Sequence, residues 1–359
     1  MWHDLYKEDL DGGTKYRQQQ LDEFLATLEI WRKKADEARA EYFTPDMSSV
    51  DAYKKDIETY RREYWEMLGY PLTEYSPDLP TPEGTAEFVA EDTLSKIYRL
   101  QIKAMEGHTV YGILFLPLTP PPYSLVISQH GGGGTPECTA GFFGSANYND
   151  MTRRTLRKGG IAVFAPQLIV WDKWFGPDVH PQWPEINVNS REYLDSYLKQ
   201  LGGSITALEV FKIMRSIDYL LANYPFNPDR IGMIGLSYGG FYTQYTTAAD
   251  VRIKSSLASC FFNDRFRYGR PDFIWQNSGK KFLDAEVAQL ICPRAQHIEI
   301  ATNDVLFDPE NAEQSHKQVL ETYTALGIED KFWFNVFEGE HELCKDDAGL
   351  DFFCKMLNE

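Results

Sequence analysis

The sequence predicts an α/β protein, a mostly parallel sheet covered by helices on both faces, with an N-terminal helical extension. Three observations point there. From about residue 83 onward, short apolar runs alternate with helical stretches, the pattern of strands buried on both faces. One of these runs leads through a Gly-x-Ser-x-Gly turn directly into a helix. The remaining polar residues with chemical potential, a glycine loop, an acid and a late histidine, each follow an apolar run.

Size and composition agree with this class. A chain of 359 residues exceeds one small domain and falls short of three, at roughly 100–200 residues each. Apolar residues make up 43% and charged residues 25%, which excludes disorder, collagen and low complexity as descriptions of the whole chain. The net charge is −17, from 36 basic and 53 acidic residues. No basic stripe is present, so a nucleic-acid partner, which needs clustered Lys and Arg to displace counterions, is not expected. Cys138, Cys260, Cys292, Cys344 and Cys354 are odd in number, widely spaced and without a Cys-x-x-Cys pair. No disulfide framework is expected, and the cysteines favour a reducing, cytoplasmic compartment. Met1 to Glu8 carries no signal-like apolar run, and no stretch approaches the length of a membrane span.

The elements follow in order. Leu21, Phe24, Leu25, Leu28 and Trp31 form one apolar stripe on a helix predicted from Tyr16 to Tyr42. Val50, Tyr53, Ile57, Tyr60, Tyr64 and Leu68 form a second stripe. Ser48 with Asp51 resembles a capping box at its start, and Gly69 and Pro71 stop it. The proline-rich stretch Ser76 to Pro82 is the connector, dividing a helical extension (1–82) from a catalytic domain (83–359). Glu87 to Lys103 and Val110 to Leu116 read as strands, followed by Leu125–Ser128 and, after a helix at Asp150 to Lys158, Ile161–Ala165. An aromatic insert (166–204) comes next. Leu208 to Asn223 is helical; Arg230–Gly235, Ser255–Phe261, His297–Ala301 and Phe332–Phe337 are the later strands.

The chemistry sits at the ends of these strands. Gly235-Leu236-Ser237-Tyr238-Gly239 satisfies the strand-to-helix turn that lifts a serine hydroxyl clear of a sheet. His130-Gly131-Gly132-Gly133-Gly134 can aim backbone N–H groups at a developing oxyanion, with Gly132 and the amide of Tyr238 as the expected donors. It is neither a P-loop, since Gly134-Thr135-Pro136 lacks the Gly-Lys-Ser/Thr ending, nor a dinucleotide fingerprint, since the third glycine position holds Glu137. His341, after the last strand, is the expected base; His341-Glu342-Leu343-Cys344-Lys345 is not a zinc-protease motif. For the acid, Asp304 is preferred. Asp308 is the alternative, although its place before Pro309 suits a helix cap, and Asp264 is a third option. The order Ser237, Asp304, His341 differs from the orders of trypsin-like and subtilisin-like proteases. His130, Gly133, Trp171 and Trp174 are the candidate substrate contacts. No metal or cofactor is expected.

Together these residues resemble the α/β-hydrolase superfamily, and more narrowly bacterial acetyl xylan esterase-like or dienelactone hydrolase-like serine esterases. The resemblance runs from roughly Glu83 to Phe353, through Gly235 to Gly240, Asp250 to Lys254, Leu290 to Arg294, Asn303 to Phe307 and Phe337 to Glu342. It implies an α/β-hydrolase fold and hydrolysis of short-chain esters, often acetyl groups on carbohydrates. Dienelactone hydrolases themselves use a cysteine nucleophile where this chain has Ser237. Gly-x-Ser-Tyr-Gly-Gly is also found in prolyl oligopeptidase-like peptidases, and non-catalytic binding proteins share the fold, so both stand as alternatives. The helical extension is expected to pack on the catalytic domain or to form a contact between subunits of a homo-oligomer.

Overall fold

The computed structural model describes residues 5–171 and 187–359. It begins with two helices, α1 (Thr14–Tyr42) and α2 (Val50–Leu68). Strands β1 (Gly84–Glu91), β2 (Ser95–Met105), β3 (His108–Pro117) and β4 (Tyr123–Gln129) follow, then α3 (Pro136–Ala140), α4 (Met151–Arg157) and β5 (Ile161–Pro166). The next elements are α5 (Val188–Gln200), α6 (Ile205–Asn223), β6 (Phe226–Leu236), α7 (Tyr238–Ala249) and β7 (Ile253–Ser259). The chain finishes with α8 (Ser278–Lys281), α9 (Asp284–Ile291), β8 (Ala295–Ala301), α10 (Pro309–Ala325), β9 (Phe332–Phe337) and α11 (Ala348–Asn358).

Nine strands form one sheet in the order β1-β2-β3-β5-β4-β6-β7-β8-β9. The first three strands pair antiparallel, as does β3 with β5; every pair from β5 through β4 to β9 is parallel. Alternation along the buried strands divides the core. Leu125 and Ile127 of β4 pack with Tyr53, Val210, Phe241 and Leu290, whereas Val126 packs with Met151, Leu156, Phe353 and Leu357. Helices therefore cover both faces, as predicted. Among the described residues no helix is long and apolar enough to cross a membrane.

Local chemistry explains where boundaries differ from expectation. The stretch read as one strand, Glu87 to Lys103, is a hairpin. The Asp92 carboxylate accepts the Leu94 and Ser95 N–H groups at 2.8 and 2.9 Å and turns the chain. Ser49 rather than Ser48 caps α2, its extended backbone bringing Oγ to the Ala52 N–H at 3.1 Å.

The two N-terminal helices behave differently. The stripe of α2 is buried in the same core as the sheet, with Tyr53, Ile57, Tyr64 and Leu68 at 0–1% exposure. The Tyr53 hydroxyl donates to the Gln289 carbonyl at 2.8 Å, and that of Tyr64 to the Tyr245 carbonyl at 3.0 Å. Arg61, on the same face, donates to the carbonyls of Ala248 and Leu290, at the C-terminal ends of α7 and α9. The predicted stripe of α1, in contrast, is bare: Leu21, Phe24, Leu25, Leu28 and Trp31 are 39–56% exposed.

What the fold does for function is set by one edge. Strand order reverses at β4, which has β5 on one side and β6 on the other. In such sheets ligands gather beyond the carboxyl ends of the strands at the point of reversal. The loop after β4, Ser237 after β6, Asp304 after β8 and His341 after β9 all leave that edge.

Candidate active site

Ser237 occupies the turn between β6 and α7 with φ +60° and ψ −121°. A non-glycine residue with positive φ is strained, and here the surroundings impose it. The Ser237 N–H is held by the Ser259 carbonyl of β7 at 2.9 Å, and its own carbonyl accepts the Phe241 N–H at 2.9 Å. The flanking glycines are needed for space. A Cβ on Gly239 would lie 2.1 Å from the Gln129 carbonyl oxygen, and one on Gly235 would lie 2.3 Å from that of Gly239. Both obstacles are backbone and cannot step aside. Gly239→Ala is therefore expected to destabilise the fold by about 3 kcal/mol or more, the upper range for overpacking, read as a lowered midpoint in urea unfolding. A variant of unchanged midpoint would show that the turn tolerates a side chain.

The structure brings Asp304 and His341 together. Asp304 Oδ2 and His341 Nδ1 are 2.8 Å apart, while Oδ1 accepts the N–H groups of Leu306 and Phe307 at 2.8 and 3.1 Å. Burial alone would raise this carboxyl; the hydrogen bond and charge of His341, with the two N–H groups, hold it below its ordinary value. An ionised Asp304 accepts only, so Nδ1 of His341 is the donor in this bond. The ring stacks on Phe307 at 5.7 Å between centroids. The His341 carbonyl accepts from Asn147 Nδ2 at 3.0 Å, and Asn149 Nδ2 bonds the Leu343 carbonyl at 2.6 Å, fixing the loop after β9. The Ser237 hydroxyl forms no hydrogen bond to His341 or to any other described residue.

The other two acids have different work. Asp308 caps α10 through the Glu310 N–H at 2.9 Å. Asp264 pairs with Arg32 of α1 at 2.5 Å.

The glycine loop lies against the turn that carries Ser237: a Cβ on Gly132 would sit 3.0 Å from the Tyr238 ring. The Gly131 N–H is taken by the Tyr148 hydroxyl at 2.8 Å. Among the described residues the N–H groups of Gly132 and Tyr238 have no acceptor. Gly133 bends the loop with φ +76° and is buried.

His130, expected as a substrate contact, does not present its ring to a ligand. It is fully buried, and burial is the main cause holding its imidazole down to about 4, hence neutral. Nδ1 donates to the Gly131 carbonyl at 2.8 Å; Nε2 accepts from the Leu168 N–H at 2.9 Å and the Gln167 side chain at 3.0 Å. Both nitrogens are spent on tying the loop after β4 to the chain after β5. Trp171 is half-buried, and Trp174 lies outside the described residues, as do Phe175 and Trp183.

Several neighbours of the site were not found from sequence. Beneath Tyr238 lies a buried charge cluster. Arg191 of α5 pairs with Asp272 at 2.9 Å and Glu209 at 3.2 Å, and Lys212 meets Glu209 at 2.6 Å, all four side chains being at most 4% exposed. The Tyr238 hydroxyl donates to Asp272 at 3.1 Å. Glu209 accepts the Ile169 N–H at 2.6 Å, and Arg191 donates to the Ile169 carbonyl at 3.1 Å. Burial would raise Glu209, and the Lys212 and Arg191 charges bring it below its usual value instead. Cys260, after β7, has φ +49° and is buried beside Asp304 and His341. Its Sγ, an Asp304 oxygen and a His341 nitrogen lie within 4.8 Å of one another, close enough for one metal ion to touch all three. The Asp304–His341 hydrogen bond already engages two of these groups. These contacts join residues from distant parts of the chain; Glu209 and Lys212, charged residues within the apolar run Leu208 to Met214, carried a signal that could have marked them.

No family model matches the chain. YtaP of Bacillus subtilis (strain 168), a protein provisionally named a hydrolase, is 27% identical over 138 residues, covering 36% of this chain and 46% of the relative. The match thus spans under half the relative's own length. Solved structures agree over far more of the chain. A protein of Bacteroides fragilis NCTC 9343, provisionally named an acetyl xylan esterase, superposes with TM-score 0.63 at 13% identity, over 92% of this chain and 89% of the other. Methylesterase BT1017 gives 0.65 at 18%, over 91% and 68%. A glucuronoyl esterase from Solibacter usitatus gives 0.62 at 15%, over 88% and 98%. At such identities the likeness establishes the fold, which is the α/β-hydrolase fold.

Proposed function

We propose that the chain is a serine carboxylic-ester hydrolase working through an acyl-enzyme on short-chain, acetyl-type esters, including esters of carbohydrates. One observation carries the reading. The bond to Asp304 leaves Nε2 of His341 free to take a proton, on the sheet edge where Ser237 stands in its strained turn. Ser237 Oγ attacks the carbonyl carbon as its proton passes to Nε2. The oxyanion accepts from the N–H groups of Gly132 and Tyr238, neither of which has another acceptor among the described residues. Collapse expels the alkoxide, which takes the proton back from Nε2, and water repeats the sequence on the acyl-enzyme. The Ser237–His341 hydrogen bond closes when substrate fills the site, as such contacts often do. That solved proteins of this fold are named as acetyl xylan, methyl and glucuronoyl esterases supports the reaction class.

The test is a hydrolysis screen of p-nitrophenyl acetate, longer p-nitrophenyl esters, acetylated sugars and the matching anilides. Acetyl esters are expected to be turned over fastest. Faster cleavage of the anilides would favour a peptidase, and a protein inert to both esters and fluorophosphonate would favour a binding protein.

A further inference from the structure

We infer that α1 is the seat of a homodimer, its free-standing half covered by the same half of a second copy. Only the last third of the helix is moored. Arg32 pairs with Asp264 at 2.5 Å, Arg39 reaches Glu286 at 3.2 Å and the Gly279 carbonyl at 2.6 Å, and Ala35 is buried. From Thr14 to Trp31 every residue except Thr27 is exposed. At 1.5 Å per residue that is about 27 Å of helix projecting from the body. Helices this short owe most of their stability in water to an apolar face packed on something.

The bare side chains have a direction. At 3.6 residues per turn, Leu21, Phe24, Leu25, Leu28 and Trp31 share an arc of roughly 120°. Arg32 and Ala35 fall on that same arc, so the face that meets the body at one end is the face left open at the other. Phe266, 45% exposed with the Arg32 guanidinium 5.1 Å from its ring centroid, carries the apolar surface onto the body. These six side chains expose roughly 600–700 Å² of surface, above the few hundred Å² ordinary for a monomer and near the about 800 Å² that each partner gives to a specific interface.

Charge selects the occupant. The helix holds six basic and six acidic residues, so the net −17 lies entirely in the rest of the chain. A helix lying on an anionic membrane carries a basic polar face, which α1 lacks. Two copies repel one another over most of their surfaces, but not here. A two-fold pairing of the helices covers the same stripe on both molecules at once.

The experiment is light scattering on the eluting full-length chain at about 100 µM, with dilution to follow the association. A mass twice the chain's 41.3 kDa is expected. The double variant Phe24→Asp, Leu28→Asp should elute at the single-chain mass with unchanged thermal midpoint, since neither side chain is buried. Phe88→Asp, on the exposed edge strand β1, should leave the dimer intact. A wild-type chain that stays single at this concentration, a double variant that stays paired, or dissociation caused by Phe88→Asp instead would each overturn the proposal. So would a single chain that floats with phosphatidylcholine vesicles.

Discussion

Ser237→Ala is expected to lower kcat on acetyl esters by on the order of 10⁴- to 10⁶-fold, the range seen when the nucleophile of a serine hydrolase is removed. Binding should change little, because the carbonyl and the two amides still meet, so KM stays within a few-fold. The loss should not come from unfolding. The Ser237 hydroxyl has no hydrogen bond to lose among the described residues, and alanine keeps the Cβ already accommodated at this φ. Thermal stability should hold within about 0.5 kcal/mol. Stopped-flow assay, fluorophosphonate labelling followed by mass spectrometry, and a melt together make the check. Undiminished turnover by a folded variant would assign the nucleophile elsewhere and end the proposed mechanism.

Asp304→Asn should cost about 10⁴-fold in kcat, the scale found where an asparagine lets the histidine settle in the wrong tautomer. Asparagine can turn its N–H₂ toward Nδ1, which moves the imidazole proton to Nε2 and removes the base. Asp308→Asn makes the contrast: as a cap on α10 it should leave kcat nearly intact and shift stability by no more than about 1 kcal/mol. Equal losses from both, or a greater loss from Asp308→Asn, would reassign the acid. Asp304 should also leave a mark on stability against pH. Its folded carboxyl is held below the ordinary value, so its stabilising contribution is complete above the unfolded value and disappears as pH falls through the folded one. Urea midpoints from about pH 6 down to about pH 2 should therefore decline less steeply in Asp304→Asn than in the parent.

Much of this was readable before any coordinates, and the reasons are local. Gly235-Leu236-Ser237-Tyr238-Gly239 was legible as a turn because Gly235 and Gly239 stand where neighbouring backbone carbonyls leave no room for a side chain. The pairing of Asp304 with His341 was legible because each follows a predicted strand by a few positions, and parallel topology sends all such ends to one edge. The helix-capping reading of Asp308 held for a similar reason, a short contact within one turn. What escaped was set by partners far along the chain. His130, beside the glycine loop, reads as a candidate substrate contact, and the Leu168 N–H that captures its ring is 38 positions away. The stripe on α1 announced burial without saying against what, since periodicity gives a face and no address.

The charge cluster under Tyr238 has a consequence for how this fold can be altered. Glu209 and Arg191 seat the backbone of Ile169, and Arg191 itself stands just beyond residue 186, so the chain on either side of 172–186 is tied to the cluster that holds the Tyr238 hydroxyl. A change in this cluster would therefore be felt in two places at once, at the Tyr238 ring and at the backbone of Ile169.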